Sequence, residues 1–122
     1  MRKTRLFDCN PRWVHWTGGA TASPDGIAFD CPEGHSGCVT VIPFSPALDG
    51  SKPQILSAQW ERTGDSFGDL TLSPSIRRTP SYQDRATAIE AGCMADCLTD
   101  SMFCALHIFI RNGLIEFCGD SR

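Results

Sequence analysis

Arg12 to Thr17 places Trp13, His15 and Thr17 on one side and Val14 and Trp16 on the other. This is the period of a strand, and Gly18-Gly19 ends it. Gly26 to Asp30 is a second strand that runs straight into Cys31. After Cys38 comes Val39-Thr-Val-Ile42, apolar and β-branched and stopped by Pro43, so residues 31–38 form the tip of a hairpin. Phe44 to Pro53 reads as an exposed loop. Ile55 to Arg62 and Asp69 to Leu72 read as strands separated by Thr63-Gly64-Asp65, the latter ended by Ser73-Pro74-Ser75. From Ser81 to Met102 the spacing turns helical, with Ser81 or Asp84 as cap, although Gly92 weakens the middle. Asn112-Gly113 is the preferred pair for a type I′ turn. It sets Ile110 against Ile115, Ile108 against Phe117 and His107 opposite Cys118.

The pattern predicts an α+β, mainly β fold: a small zinc-stapled antiparallel sheet or sandwich with one helix at about 81–102 and a C-terminal hairpin. A chain of 122 residues is the size of a single domain, 1–122. Its 14 acidic against 11 basic residues give a net charge of −3, which argues against broad nucleic-acid binding. Arg2, Lys3 and Arg5, and the Arg77-Arg78 pair, read as solvated surface. No apolar run approaches the length of about 18 residues that a spanning helix needs. The opening residues lack the apolar stretch of a secretory signal, so the expected setting is the cytoplasm of a bacterial host cell. Seven cysteines in a reducing compartment favour metal ligation over disulfides.

Zinc takes four thiolate or imidazole ligands. Cys31, Cys38, Cys104 and His107 make the best quartet, two short knuckles each ending at a strand. Binding worth about 10 kcal/mol would then be available to a small β-core. His35 can replace one cysteine, and Cys118 can be drawn in through the hairpin register. Cys93 and Cys97, four apart on the expected helix, either clasp a second metal or pack in the core. Cys9 has no evident partner. For catalysis, Glu33 and Glu116 are the carboxylates nearest these ligands, and either can serve a zinc-bound water as proton shuttle. No deaminase or His-Glu-x-x-His pattern accompanies them, and a four-ligand set leaves no open position, which favours structure over reaction. Ser23, Ser73 and Ser75 read as turn residues without the spacing of a nucleophile and its base. Trp13, Trp16 and Trp60 read as core more readily than as a recognition surface.

Several stretches together carry a resemblance: Phe29 to Pro32, Val41 to Pro43, Trp60, Leu70-Thr-Leu-Ser-Pro-Ser-Ile-Arg77, and Cys104 to His107 running into Phe109-Ile-Arg-Asn-Gly-Leu-Ile-Glu-Phe-Cys-Gly-Asp-Ser121. They resemble a small family of uncharacterised phage and prophage proteins often mislabelled "ammonia monooxygenase". The resemblance covers about residues 27–121. It implies a compact zinc-bound β-domain whose metal-ligand pattern falls on Cys31, Cys38, Cys104 and His107. The chain departs from the family in a wider first knuckle and in a helical insertion at about 79–103. Nothing in it matches the copper site or membrane helices that ammonia oxidation would need.

The function these readings lead to is that of a non-enzymatic, zinc-stabilised phage-type accessory protein. It would act by binding a host protein with a basic surface, as an inhibitor of a bacterial defence complex. Whether the chain is an enzyme stays open. A small zinc hydrolase using Glu33 or Glu116 and a single-stranded nucleic-acid binding module are the alternatives.

Overall fold

The computed structural model describes residues 2–15, 23–35, 37–51 and 59–121. The strands are β1 (Lys3–Arg5), β2 (Arg12–Val14), β3 (Gly26–Asp30), β4 (Val39–Ser45), β5 (Trp60–Thr63), β6 (Thr71–Arg77), β7 (His107–Arg111) and β8 (Leu114–Phe117). They form one sheet in the order β1-β8-β7-β6-β5-β4-β3-β2. β1 and β2 follow one another in the chain and yet lie at opposite edges. A flat sheet of this many strands is about 34 Å wide, whereas the residues from Arg5 to Arg12 reach at most about 25 Å. Leu6–Cys9 shortens them further by coiling into a 3-10 turn. The sheet therefore curls into a half-barrel. Leu6, fully buried, sits in the gap and donates its N–H to Gly113 O at 2.8 Å.

The inner face carries the core: Ile27, Phe29, Ile42, Phe44, Leu72, Ile76, Ile108, Ile110, Ile115 and Phe117, all buried. Trp13 joins it by stacking on Phe67 with ring centres 4.5 Å apart. The fold is mainly β with one short helix, as the hydrophobic pattern predicts, and the hairpin has the expected register of Ile108 to Phe117 and Ile110 to Ile115.

Several elements differ from expectation, among them β6, which runs through Ser73-Pro74-Ser75 to Arg77 rather than ending there. The sheet is a single layer and is not wholly antiparallel, since β4 and β5 pair in parallel through Phe44 and Trp60. Pro43 does not stop β4. Phe44 N bonds to Asp25 O on the β3 side, so position 43 faces β5, where pairing begins only one residue later and no ladder bond is lost. The expected helix of 81–102 is confined to α1 (Arg85–Glu90), followed by 3-10 turns at Ala95–Cys97 and Asp100–Phe103. Asp84 caps it by accepting from Thr87 N at 2.8 Å. Gly92, at φ +104, takes the chain out of helical geometry. Cys93 and Cys97 thus do not share a helical face. The strand readings at 16–17 and 55–58 fall outside the described residues.

The turn at Asn112-Gly113 holds β7 against β8. Gly113 has φ +74, and a Cβ there would lie 2.6 Å from the carbonyl oxygens of Phe67 and Gly68. We expect Gly113→Ala to destabilise the fold by about 1–3 kcal/mol. Urea unfolding followed by circular dichroism would measure it, and an unchanged midpoint would refute this role for the turn.

Candidate active site and metal centre

Strand directions gather the chemistry at one end of the half-barrel. β3 ends there at Asp30, β4 starts there at Val39, β6 ends there at Arg77, β7 starts there at His107, and β8 runs out there into Cys118 to Ser121.

Cys31 closes β3, Cys38 precedes β4, and Cys104 precedes β7. His35 lies in the turn between the first two. The four ligand atoms lie within 4.8 Å of one another, and the three sulfurs are buried. Cys31 Sγ is 3.8 Å from Cys104 Sγ and 3.4 Å from His35 Nδ1. Tetrahedral zinc, with bonds of about 2.3 Å to sulfur and about 2.0 Å to nitrogen, separates its ligands by about 3.8 Å for two sulfurs and about 3.5 Å for sulfur and nitrogen. The donor set fits one metal ion. Burial, then the neighbouring Cys31, pushes the Cys104 thiol up to about 12. Cys38 is also raised, by burial first and Cys31 second, against lowering contributions from Cys104 and Arg78. Raised in this way, Cys38 and Cys104 give up their protons to a cation that takes their place.

Of the quartet expected from the sequence, Cys31, Cys38 and Cys104 come together and His107 is not among them. His35, the expected substitute, stands with the three cysteines. Cys118 and Cys93 are half-buried free thiols outside the group. Cys97 lies in the 3-10 turn Ala95–Cys97.

His107 belongs to a second cluster. Between Leu72↔Ile110 and Ile76↔Ile108 the register of β6 on β7 shifts, so Ser73, Pro74 and Ser75 span the stretch opposite Phe109 alone. This bulge, in which Pro74 costs no ladder bond, turns Ser75 toward the first residue of β7. Ser75 Oγ lies 3.3 Å from His107 Nε2. On the other side of the ring, His107 Nδ1 lies 2.7 Å from Asp120 Oδ1. Arg77 Nη2 donates to Asp120 Oδ2 at 2.9 Å and also lies 3.0 Å from His107 Nδ1. Asp120 is held below its ordinary value, first by the hydrogen bond from His107 and then by Arg77, so it is an ionised acceptor. In the tautomer that donates Nδ1–H to Asp120, Nε2 presents a lone pair to the serine hydroxyl. Further bonds hold this arrangement: Trp60 Nε1 donates to Ser75 O at 3.2 Å, and His107 N donates to Ser121 Oγ at 3.1 Å. Arg77 and Asp120 of this cluster line an open cleft of about 540 Å³ together with Thr79, Ala105 and Gly119. Ser73 and Pro74, just before Ser75 in the chain, line a second of about 350 Å³ with Phe109.

The Asp120 shift carries a sign. A carboxyl depressed in the folded chain contributes stability that is present above its ordinary 3.8 and lost as pH falls through the lower folded value. Asp120→Asn should lower the neutral plateau of a melting-temperature profile and flatten its acid limb below pH 4, where the two proteins converge. An identical acid limb would refute it.

Arg77 is exposed, as expected, and holds Asp120, whereas Arg78 is half-buried. Arg78 Nη1 donates to Cys38 Sγ at 3.0 Å. Arg2 pairs with Glu33 at 3.0 Å and lies over the Phe117 ring. Glu116 lies across β8 from Phe109, with Arg111 at 3.8 Å. Sequence spacing missed Ser75 because its partners come from distant segments and no glycine-flanked serine motif surrounds it. Pro74 inside an apolar strand pattern is the signal that marks the bulge.

A hydroxyl, an imidazole with the correct free nitrogen and a buttressed carboxylate in hydrogen-bonded series are the constellation of hydrolases that use serine as nucleophile. The chain matches, over residues 4–118, the family model described as bacterial ubiquitination-like system serine protease (BubE), and it belongs to that family. No curated protein and no solved structure matches the chain significantly. The family match overturns the reading of the chain as a non-enzymatic phage accessory protein inhibiting a host defence complex, because this family is described by a protease activity. It lends no support to the zinc hydrolase with Glu33 or Glu116 or to the nucleic-acid module. The resemblance to a small bacterial family holds. Its description is of a protease and not of an ammonia monooxygenase, and the match reaches back to residue 4 rather than 27. Among the described residues no helix is long and apolar enough to cross a membrane.

Proposed function

We propose that this protein is a serine protease acting on a polypeptide of a bacterial ubiquitination-like system, with Ser75 as nucleophile, His107 as general base and Asp120 as the group that orients the base. The observation that carries this reading is the contact series from Ser75 Oγ to His107 Nε2 at 3.3 Å and from His107 Nδ1 to Asp120 at 2.7 Å. Its first link is slightly long, as such links commonly are before substrate binds. His107 takes the hydroxyl proton as Ser75 Oγ attacks the scissile carbonyl. The resulting imidazolium gives that proton to the departing amine, leaving an acyl-serine. Water then repeats the sequence, with His107 taking its proton, and releases the acid and the free hydroxyl. Asp120 holds Nδ1–H throughout, and Arg77 holds Asp120. The cleft lined by Arg77 and Asp120 and the one lined by Ser73 and Pro74 are suited to an extended substrate.

The ion at Cys31, His35, Cys38 and Cys104 is proposed to be zinc, since three thiolates and an imidazole suit it. With four protein ligands it supplies folding energy.

Hydrolysis of a fluorogenic peptide-aminomethylcoumarin library tests the activity. We expect turnover that a sulfonyl fluoride blocks and that His107→Ala removes. Turnover of equal size in His107→Ala would reject the reading.

A further inference from the structure

Arg78 runs between the two clusters at this end of the half-barrel. Arg78 Nη1 donates to Cys38 Sγ at 3.0 Å and to Val39 O at 3.3 Å, and Arg78 N donates to Leu106 O at 2.7 Å. In sequence, Arg78 adjoins Arg77, which holds Asp120, and follows Ser75 by three positions. Leu106 immediately precedes His107, and Cys104 precedes His107 by three. We propose that the thiolate centre is a clamp on the catalytic pair and that Arg78 is its positioning residue. The centre grips the start of β7 through Cys104 and the end of β6 through Arg78, and so sets the separation of His107 and Ser75. The inference rests on the reading of Ser75 as nucleophile.

The chemistry favours such a link. A guanidinium donor 3.0 Å from a sulfur of the metal cluster ties the place of that sulfur to the end of β6. Ser75 and His107 must close slightly from 3.3 Å for proton transfer, and a misplacement of about 1 Å at such a pair slows reaction about 100-fold. A serine enzyme built this way is inactivated by chelators although the ion takes no part in bond-making.

The test is the rate at which Ser75 forms an adduct with a fluorophosphonate, a probe that needs the activated serine and no natural substrate. It is read beside metal content and the sulfur-to-cobalt absorption of cobalt-substituted protein. We expect Arg78→Gln to keep one equivalent of metal and the cobalt spectrum, and to label about 10- to 100-fold more slowly with unchanged saturation by the probe. Arg78→Lys should recover part of the rate. Wild-type protein stripped by chelator at low temperature, still folded by circular dichroism, should slow to the same degree. A wild-type labelling rate in metal-loaded Arg78→Gln, or in folded stripped protein, overturns the clamp. If Arg78→Gln does not fold, Arg78→Lys decides: an intermediate rate supports the clamp and a wild-type rate overturns it. Absence of any adduct at Ser75 in the metal-loaded wild type rejects the nucleophile itself, which separates the two failures.

Discussion

Ser75→Ala lowers kcat/KM for peptide hydrolysis by a factor of about 10⁴ to 10⁶, while circular dichroism and the melting transition stay those of the wild type. The size follows from the role. Without the hydroxyl no acyl intermediate forms, and what remains is the little that binding and electrostatics give to attack by water. The neutrality toward folding follows from the structure. Ser75 lies half-buried on the outer face of β6, and its carbonyl, which the substitution retains, receives the bond from Trp60. Ser81→Ala is the control, since Ser81 is exposed, lines neither cleft and should leave activity intact. Steady-state kinetics on a responsive peptide substrate decide it. A Ser75→Ala protein with more than about one per cent of wild-type activity would contradict the assignment.

Cys104→Ser is expected to remove the metal and unfold the domain at 37 °C. Cys104 is fully buried and 3.8 Å from Cys31 Sγ, so no displacement short of main-chain movement brings another ligand to its place. Metal binding of about 10 kcal/mol is comparable with the whole stability of an ordinary domain, about 5–15 kcal/mol. The hydroxyl left behind adds an unpaired polar group to the core. Cys118→Ser, outside the ligand group, should keep both metal and melting temperature. Elemental analysis and calorimetry on the pair read this directly. A Cys104→Ser protein with a native transition would show that the fold stands without the centre.

The local periodicities were faithful wherever a strand pairs with its neighbour in sequence. Gly26 to Asp30, the Asn112-Gly113 turn and the pairing of Ile108 with Phe117 and Ile110 with Ile115 stand as read. The same register, carried on, sets residue 120 opposite 105, and it is the turn after β8 that brings Asp120 to His107, so this contact was not legible in the hairpin. Three cysteine ligands were legible because two flank one hairpin tip and the third precedes another. The choice between His35 and His107 was not, since it depends on how the sheet curls rather than on spacing. The nucleophile was hidden for a related reason: Ser73-Pro74-Ser75 has the composition of a strand end, and only pairing with a strand about 30 residues later reveals a bulge. The helix was over-read because apolar spacing continues past Gly92, where the backbone does not.

The most direct measurement is peptide mapping by mass spectrometry after reaction with a fluorophosphonate. The account predicts a single adduct on Ser75 in the wild type, greatly slowed in His107→Ala and Asp120→Asn. An adduct on another residue, or labelling of Ser75 at an equal rate when His107 is replaced, would contradict it.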